Sequence, residues 1–224
     1  MTLYNNRPQI KIGDKWGFDA WGLLLAAGWS LAPATPKTSF VEIPASDGSL
    51  DISEVLSGEP RYQNRALSFG LVFTQPESEW EALRQTVENY CSGQRMKITL
   101  PHDTRHYLLG RISPGAFERQ AGAAVLRFEV RCDPWRYKIN PTITPVVVPA
   151  EGTITGVLRN ERRRVIPEIT TDGSVDVTIN GITQSISAGT FKFTDFILEP
   201  GNNPVTVAGA AGTTVTFTYQ EASL

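Results

Sequence analysis

Apolar and polar residues alternate along several stretches of the chain, with the period of two that is typical of β-strands burying one face. Between residues 67 and 73 every second residue is Leu or Phe, and Ala66, Ser68 and Gly70 on the other face are small or polar. Residues 126–132 alternate Leu, Phe, Val and Cys with Arg and Glu, and residues 96–100 and 107–112 flank a polar turn. These stretches predict antiparallel strands that share one core.

One stretch has the period of a helix instead. Ser78-Glu-Trp-Glu81 fits a capping box, apolar residues then recur every three or four positions from Trp80 to Tyr90, and Gly93 ends the pattern. This predicts a single crossover helix whose apolar stripe packs on the sheet. The first part of the chain is therefore predicted to be a strand-rich α+β domain within a mainly β protein.

Two segments before these strands are dense in turn residues. Residues 16–23 are rich in aromatic residues and glycine and lead into a stretch with two prolines, which predicts short strands and a surface crossing. Residues 40–43 alternate as a strand, and Asp47-Gly48-Ser49 supplies a turn whose glycine permits a positive φ. The second segment is predicted to form a β-arch or a hairpin.

A change of composition near residue 140 predicts a domain boundary. Residues 139–150 contain three prolines and no charged residue, which is typical of a semi-extended linker. Beyond it, β-branched runs are separated by Asp172-Gly173, Asn180-Gly181 and Pro200-Gly201, and Asn-Gly is a strong hairpin signal. We predict a first domain over residues 1–140, a linker over 141–152, and a small antiparallel β-sandwich over 153–224.

Composition narrows the class of protein. The 224 residues are 41% hydrophobic and 20% charged with a net charge of -2, the profile of an ordinary globular protein. No stretch approaches the roughly 20 apolar residues of a membrane-spanning helix, so no membrane anchor is expected. Asp14, Lys15 and Asp19 stand where a signal peptide would need apolar residues, which predicts a protein made in a cytoplasm.

Candidate catalytic and metal-binding residues are few. His102 and His106 form, with Asp103, the segment His-Asp-Thr-Arg-His. If it were helical, both imidazoles would share one face and could bind a metal, but a polar turn before a strand is favoured. Cys91 and Cys132 lack the spacing of a zinc site or a disulfide framework. The carboxylates Asp47 and Asp51 could in principle catalyse glycoside hydrolysis but are typical turn residues.

No phosphate-binding loop or nucleophile elbow is present in the sequence. Arg159, Arg162, Arg163 and Arg164 form a basic cluster, which is either a nucleic-acid patch or, as favoured by the lack of neighbouring aromatics, a solvated strand edge. We therefore predict no catalytic, cofactor-binding or metal-binding residue, and a structural protein rather than an enzyme.

The order of several motifs resembles the distal tail protein family of long-tailed, non-contractile phages. A Trp-Gly segment precedes the first motif, and a Trp-bearing helix follows the second. The motifs are, in chain order, Val41–Asp51, Tyr62–Arg65, Cys132–Trp135, Asn160–Ile169, Ile179–Gly181 and Pro200–Asn203. Arg162 to Arg164 depart from the family pattern, which has small residues there. The resemblance spans nearly the whole chain.

This resemblance implies a virion protein that forms a ring, usually hexameric, at the distal end of the tail. The ring would join the tail tube protein to the tail tip or baseplate hub and the tape-measure protein, and DNA would pass through its channel without sequence-specific binding. The first domain would form the ring, and the second would be a galectin-like sandwich on its outside.

A carbohydrate-binding module or another adhesive β-sandwich is the alternative. Sugar platforms need exposed aromatic faces, yet all five tryptophans precede the predicted linker. The second domain offers only phenylalanines and Tyr219, most of which alternate as core residues would. Tryptophan and arginine, which are favoured at interface hot spots, are concentrated in the first domain, which is therefore expected to hold the ring-forming surfaces.

Overall fold

The structure is a computed structural model and describes residues 9–224. The described residues form two compact units, one running to Arg136 and including Leu224, the other comprising Tyr137–Ser223. Residues 1–8 of the predicted first domain lie outside the described residues. The chain is mainly β, as the sequence predicts, and each unit has its own buried hydrophobic cluster.

The first unit is built on one large sheet. The strands of this unit are β1 (Lys11–Ile12), β2 (Lys15–Trp16), β3 (Leu24–Leu25), β4 (Ser30–Leu31), β5 (Phe40–Glu42), β6 (Ser49–Asp51), β7 (Arg65–Phe73), β8 (Arg95–Thr99), β9 (His106–Gln120) and β10 (Ala123–Lys138). β5 and β6 form a separate hairpin, and the others belong to the large sheet. Its helices are α1 (Gly17–Trp21), a 3-10 turn (Glu77–Glu79) and α2 (Trp80–Cys91). Neighbouring strands follow the order β2-β1-β8-β9-β10-β7-β3, and β4 also pairs with β7.

The strands predicted from alternation are confirmed as the centre of this sheet. Phe69 lies opposite Phe128 in the β7–β10 register, and their rings stack with centroids 5.0 Å apart. The alternating apolar residues, Leu67 to Phe73 in β7 and Ala124 to Cys132 in β10, face inward and are almost fully buried. Burying side chains of this size stabilises the fold by about 1.5–3 kcal/mol each, so this double row accounts for much of the stability of the unit.

The predicted helix is confirmed, but its capping box is not formed. Residues 77–79 make a 3-10 turn in which the Glu79 amide donates to the Pro76 carbonyl at 2.9 Å, and α2 begins at Trp80 without a side-chain cap. The turn therefore takes the place of the predicted cap and pairs the Glu79 amide with a backbone carbonyl. α2 connects β7 to β8, which lie on opposite sides of the β9–β10 pair, so it is a crossover helix.

Residues 16–23 differ from the sequence prediction, because a turn of helix replaces part of the short strands. Gly17–Trp21 form α1, which ends where Gly22 adopts a φ of 68°. The amides of Gly22 and Leu23 donate to the carbonyls of Phe18 and Gly17. A glycine that adopts the left-handed conformation closes a short helix at low cost, and this signal competes with the strand pattern around it.

The second unit is a sandwich of two four-stranded sheets, as predicted. The eight strands of the sandwich are β11 (Thr142–Val147), β12 (Thr153–Asn160), β13 (Glu168–Thr171), β14 (Val175–Ile179), β15 (Ile182–Ile186), β16 (Gly189–Phe191), β17 (Gly201–Gly209) and β18 (Thr214–Tyr219). A further short strand, β19 (Ala222–Ser223), lies outside these two sheets. The two sheets have the orders β11-β18-β13-β16 and β12-β17-β14-β15. Asn180 and Gly181 both have positive φ and form the predicted hairpin turn between β14 and β15.

The stretch predicted to be a linker contains strand β11. Its residues pair with β18, and Pro145 lies opposite Thr216. β11 is the edge of its sheet, where a proline is tolerated because one side of the strand needs no donor. The compact division falls after Arg136, since Lys138 bonds Glu221 at 2.8 Å and the guanidinium of Arg163 lies over the Tyr137 ring.

Candidate assembly surfaces

A two-stranded hairpin of the first unit exposes all of its strand residues. β5 and β6 pair only with each other, and every residue in them is exposed. Val41 lies opposite Leu50 on one face of the hairpin, and Phe40 lies opposite Asp51 on the other. An isolated hairpin is at best marginally stable in water, so this one is expected to be stabilised by a partner.

The exposed apolar side chains of this segment form the most apolar surface of the first unit. Among the described residues of that unit, every large hydrophobic side chain classed as exposed lies in this segment. They are Phe40 (57% exposed), Val41 (44%), Ile43 (48%), Leu50 (54%), Val55 (73%) and Leu56 (101%). Exposed apolar side chains concentrated in one segment are typical of a site of protein–protein contact.

The same segment is acidic. Between Lys37 and Arg61 there is no lysine or arginine, while Glu42, Asp47, Asp51 and Glu54 lie within residues 39–58, here called the acidic hairpin. The sequence predicts the hairpin and its turn, and Gly48 has the expected positive φ of 73°. The exposure of both faces of the hairpin does not follow from the sequence.

Hydrogen bonds close the base of the acidic hairpin. The Ser39 amide donates to Ser53 Oγ at 2.8 Å, and the Ile52 amide donates to the Ser39 carbonyl at 2.9 Å. Hydrogen bonds from the hydroxyl and amide of Ser53 hold the pKa of Asp51 below its ordinary value. Asp51 therefore stays charged and engaged with Ser53, in a setting that does not resemble a catalytic carboxylate pair with Asp47.

A second surface of the first unit is cationic. The core residues of β8, β9 and β10 alternate inward, so the residues between them point to the opposite face of the sheet. Cross-strand pairs confirm this, because Arg95 lies opposite Arg111 and Ile98 opposite Leu108. The cationic sheet face comprises Lys11, Arg95, Lys97, Arg111, Arg127 and Arg131.

Carboxylates balance only part of this charge. Asp133 bonds Arg95 at 2.7 Å, Glu118 bonds Arg127 at 3.2 Å, and Glu129 lies on the same face between Arg127 and Arg131. A groove of about 850 Å³ continues from this face toward the base of the acidic hairpin. Its lining includes Lys37, Gln63, Ser68, Ser113, Glu129 and Arg131. One unit therefore presents two different surfaces of opposite charge.

The histidine segment forms the predicted polar turn before β9. His106 Nδ1 lies 2.8 Å from Asp103 Oδ1, and Asp103 Oδ2 lies 4.0 Å from Arg136. Partial burial alone would raise the pKa of Asp103, but hydrogen bonding and the neighbouring positive charges hold it below its ordinary value. Among residues 9–224, no group of three or more His, Cys, Asp or Glu side chains could hold a metal ion.

We predict that stability and assembly do not depend on a metal. His102 and His106 have no third ligand to complete a site within the described residues. Incubation with EDTA is expected to leave the thermal midpoint unchanged, as measured by circular dichroism. Stoichiometric zinc uptake that is lost when both histidines are replaced by asparagine would contradict this.

The arginine cluster and the two cysteines are the remaining candidate residues. Arg164 bonds Glu199 at 2.6 Å, and Arg159 lies on edge strand β12, as the solvated-edge interpretation of the arginine cluster expects. Cys91 and Cys132 are buried free thiols, and burial raises their pKa to about 11 and about 12. Thiols of this kind are unreactive at neutral pH.

Comparisons with known proteins identify a similar fold but no protein family. No protein-family model matches the chain, and no curated protein matches it. A solved structure has a similar fold over 97% of this chain and 99% of its own length, with a TM-score of 0.65 and 13% sequence identity. That structure is the Dit protein (gp 19.1) of SPP1, described as a paradigm of the hub adsorption apparatus in phages that infect Gram-positive hosts.

Membrane insertion through helices finds no support in residues 9–224. None of the helices there is long and apolar enough to cross a bilayer.

Proposed function

We propose that this chain is a structural component of a phage tail, a hub protein that forms a ring at the distal end of the tail. The likeness in fold to SPP1 Dit over nearly the full length supports this proposal. The proposed ring is a hexamer that joins the tail tube to the tail tip and the tape-measure protein and leaves a channel for DNA. The chain would be made in the host cytoplasm and act in the virion without enzymatic activity.

The observation that best supports ring formation is the pair of complementary surfaces on the first unit. A closed ring of identical subunits uses a heterologous contact, in which two different patches of each subunit meet. The acidic hairpin is one such patch, and the cationic sheet face is the other. We propose that the hairpin of one copy packs on the cationic face of the next, where its apolar residues lose water and its carboxylates meet arginines.

The second unit is proposed to be peripheral to the ring. Its aromatic residues favour a core over a sugar platform, since Phe196, Phe217 and Tyr219 are at most 4% exposed. Phe191 and Phe193 also pack against this core. The structure thus offers no observation that favours the carbohydrate-binding alternative.

We predict that the ring-forming surfaces reside in the first unit and that the second unit alone is monomeric. Light scattering on the full chain, on residues 1–136 and on residues 137–224, each over a wide concentration range, measures this. The full chain and the first fragment are expected to associate as concentration rises, because ring closure follows mass action. Association of the second fragment alone, with the first monomeric even beside tail-tube protein, would contradict the assignment.

A further inference from the structure

A separate pocket of the first unit combines buried positive charge with apolar walls. It has a volume of about 380 Å³. Its lining residues are Trp29, Ser30, Leu31, Arg65, Leu100, His102, Asp103 and Arg136. Here it is called the Trp29 pocket.

Arg65 is the least exposed of the charged residues that line it. The residue is only 4% exposed, and its guanidinium donates to two backbone carbonyls, from Nε to Ala32 at 2.8 Å and from Nη1 to Pro134 at 3.5 Å. These bonds join two segments of the unit, but neither partner carries a negative charge. A buried cation without a carboxylate partner is costly, so an anion that reaches it is favoured.

Arg136 adds a second positive charge to the same pocket. Arg65 and Arg136 line the same pocket, and burial, followed by the charge of Arg136, lowers the pKa of Arg65. The one carboxylate of the lining, Asp103, is shared between Arg136 and His106. The Nε atom of Arg136 is buried and has no hydrogen-bond partner. The pocket therefore has a surplus of positive charge and of donors.

The walls of the Trp29 pocket determine which kind of anion fits it. Leu100 is 9% exposed, and the Trp29 ring lies 6.4 Å from the His102 ring, so an apolar wall adjoins the cationic groups. A guanidinium group matches a carboxylate through paired hydrogen bonds, and the tryptophan and leucine surfaces favour an aliphatic or aromatic group beside it.

We propose that the Trp29 pocket binds a carboxylate borne on an apolar group, as presented by the C-terminal residue of a protein partner. Arg65 and Arg136 bind the carboxylate, while Trp29, Leu31 and Leu100 contact the apolar group. The site uses neither the acidic hairpin nor the arginines of the cationic sheet face, although Arg65 also lines the groove beside that face.

The test uses the full-length chain and N-acetyl-leucine as the probe, with N-acetyl-leucinamide as the uncharged match. His102 and His106 are the only histidines of the chain, so their imidazole resonances report on this pocket in NMR titrations. N-acetyl-leucine is expected to shift the His102 signals saturably, with a dissociation constant of about a few millimolar for a ligand of this size. The amide is expected to bind at least about tenfold more weakly, because it cannot pair with the guanidinium groups.

Variants separate the proposed site from general attraction to a basic protein. R136Q is expected to weaken binding of N-acetyl-leucine at least about tenfold, whereas R119Q, at an exposed arginine paired with Glu81, leaves it unchanged. R65K, checked for a native spectrum, should also weaken binding, since lysine lacks the planar fork. Equal binding of acid and amide, equal competition by inorganic phosphate, no saturable shift, or no effect of R136Q would each overturn the proposal.

Discussion

Replacing Trp80 with alanine is expected to lower the free energy of unfolding of the first unit by about 3–5 kcal/mol. The indole is 3% exposed, at the start of α2, and its N–H donates to the Gln75 carbonyl at 2.9 Å. Its ring also meets the edge of Phe117, which in turn contacts Phe73 of the sheet. Truncation would leave a cavity beneath the crossover helix and an unpaired carbonyl.

Urea denaturation followed by tryptophan fluorescence and circular dichroism measures this loss. The matched control is Q85A, an exposed position in the middle of the same helix, where the change is expected to stay within about 0.5 kcal/mol. A denaturation midpoint for W80A equal to that of the control would mean that α2 contributes little to the core.

Replacing Leu50 with aspartate is expected to weaken self-association by about 100-fold without unfolding the chain. Leu50 is 54% exposed and shares a face of the acidic hairpin with Val41, so a charge there costs the isolated subunit little. In the proposed contact the side chain is buried, and losing a central apolar contact costs about 2–3 kcal/mol of binding free energy. Sedimentation velocity over a concentration series gives the association constant.

The control is I182D, at an apolar residue of similar exposure on the second unit, which should associate as the unchanged protein does. Raising the ionic strength should also weaken association, because the acidic hairpin and cationic sheet face attract each other through screened charges. If L50D associates normally while I182D does not, the interface lies on the second unit.

Local patterns explain which parts of the fold could be predicted. The β7 strand follows from strict alternation, and the β14–β15 turn follows from Asn180-Gly181, whose conformation few other residue pairs adopt. The prolines of residues 142–147 predict a linker, but an edge strand tolerates proline, and edge position is a property of the whole sheet. The helical turn at Gly17–Trp21 does not follow from the local pattern, because a single glycine closes it.

The candidate surfaces are harder to read from sequence because they depend on register. Arg95 and Arg111 are far apart in the chain and become neighbours only when β8 and β9 pair. The acidic hairpin has a local signal, the absence of lysine and arginine between Lys37 and Arg61, but its exposure follows from β5 and β6 pairing with no other strand. Arg65 marks the Trp29 pocket only once its burial is known.

Cryo-electron microscopy of the full-length chain, concentrated alone or with tail-tube protein, measures the arrangement of subunits directly. We expect closed rings in which the acidic hairpin of each copy lies on the cationic sheet face of the next, with the second unit outside the contact. Two-fold dimers, open filaments, or rings held together by the second unit would contradict the proposed assembly.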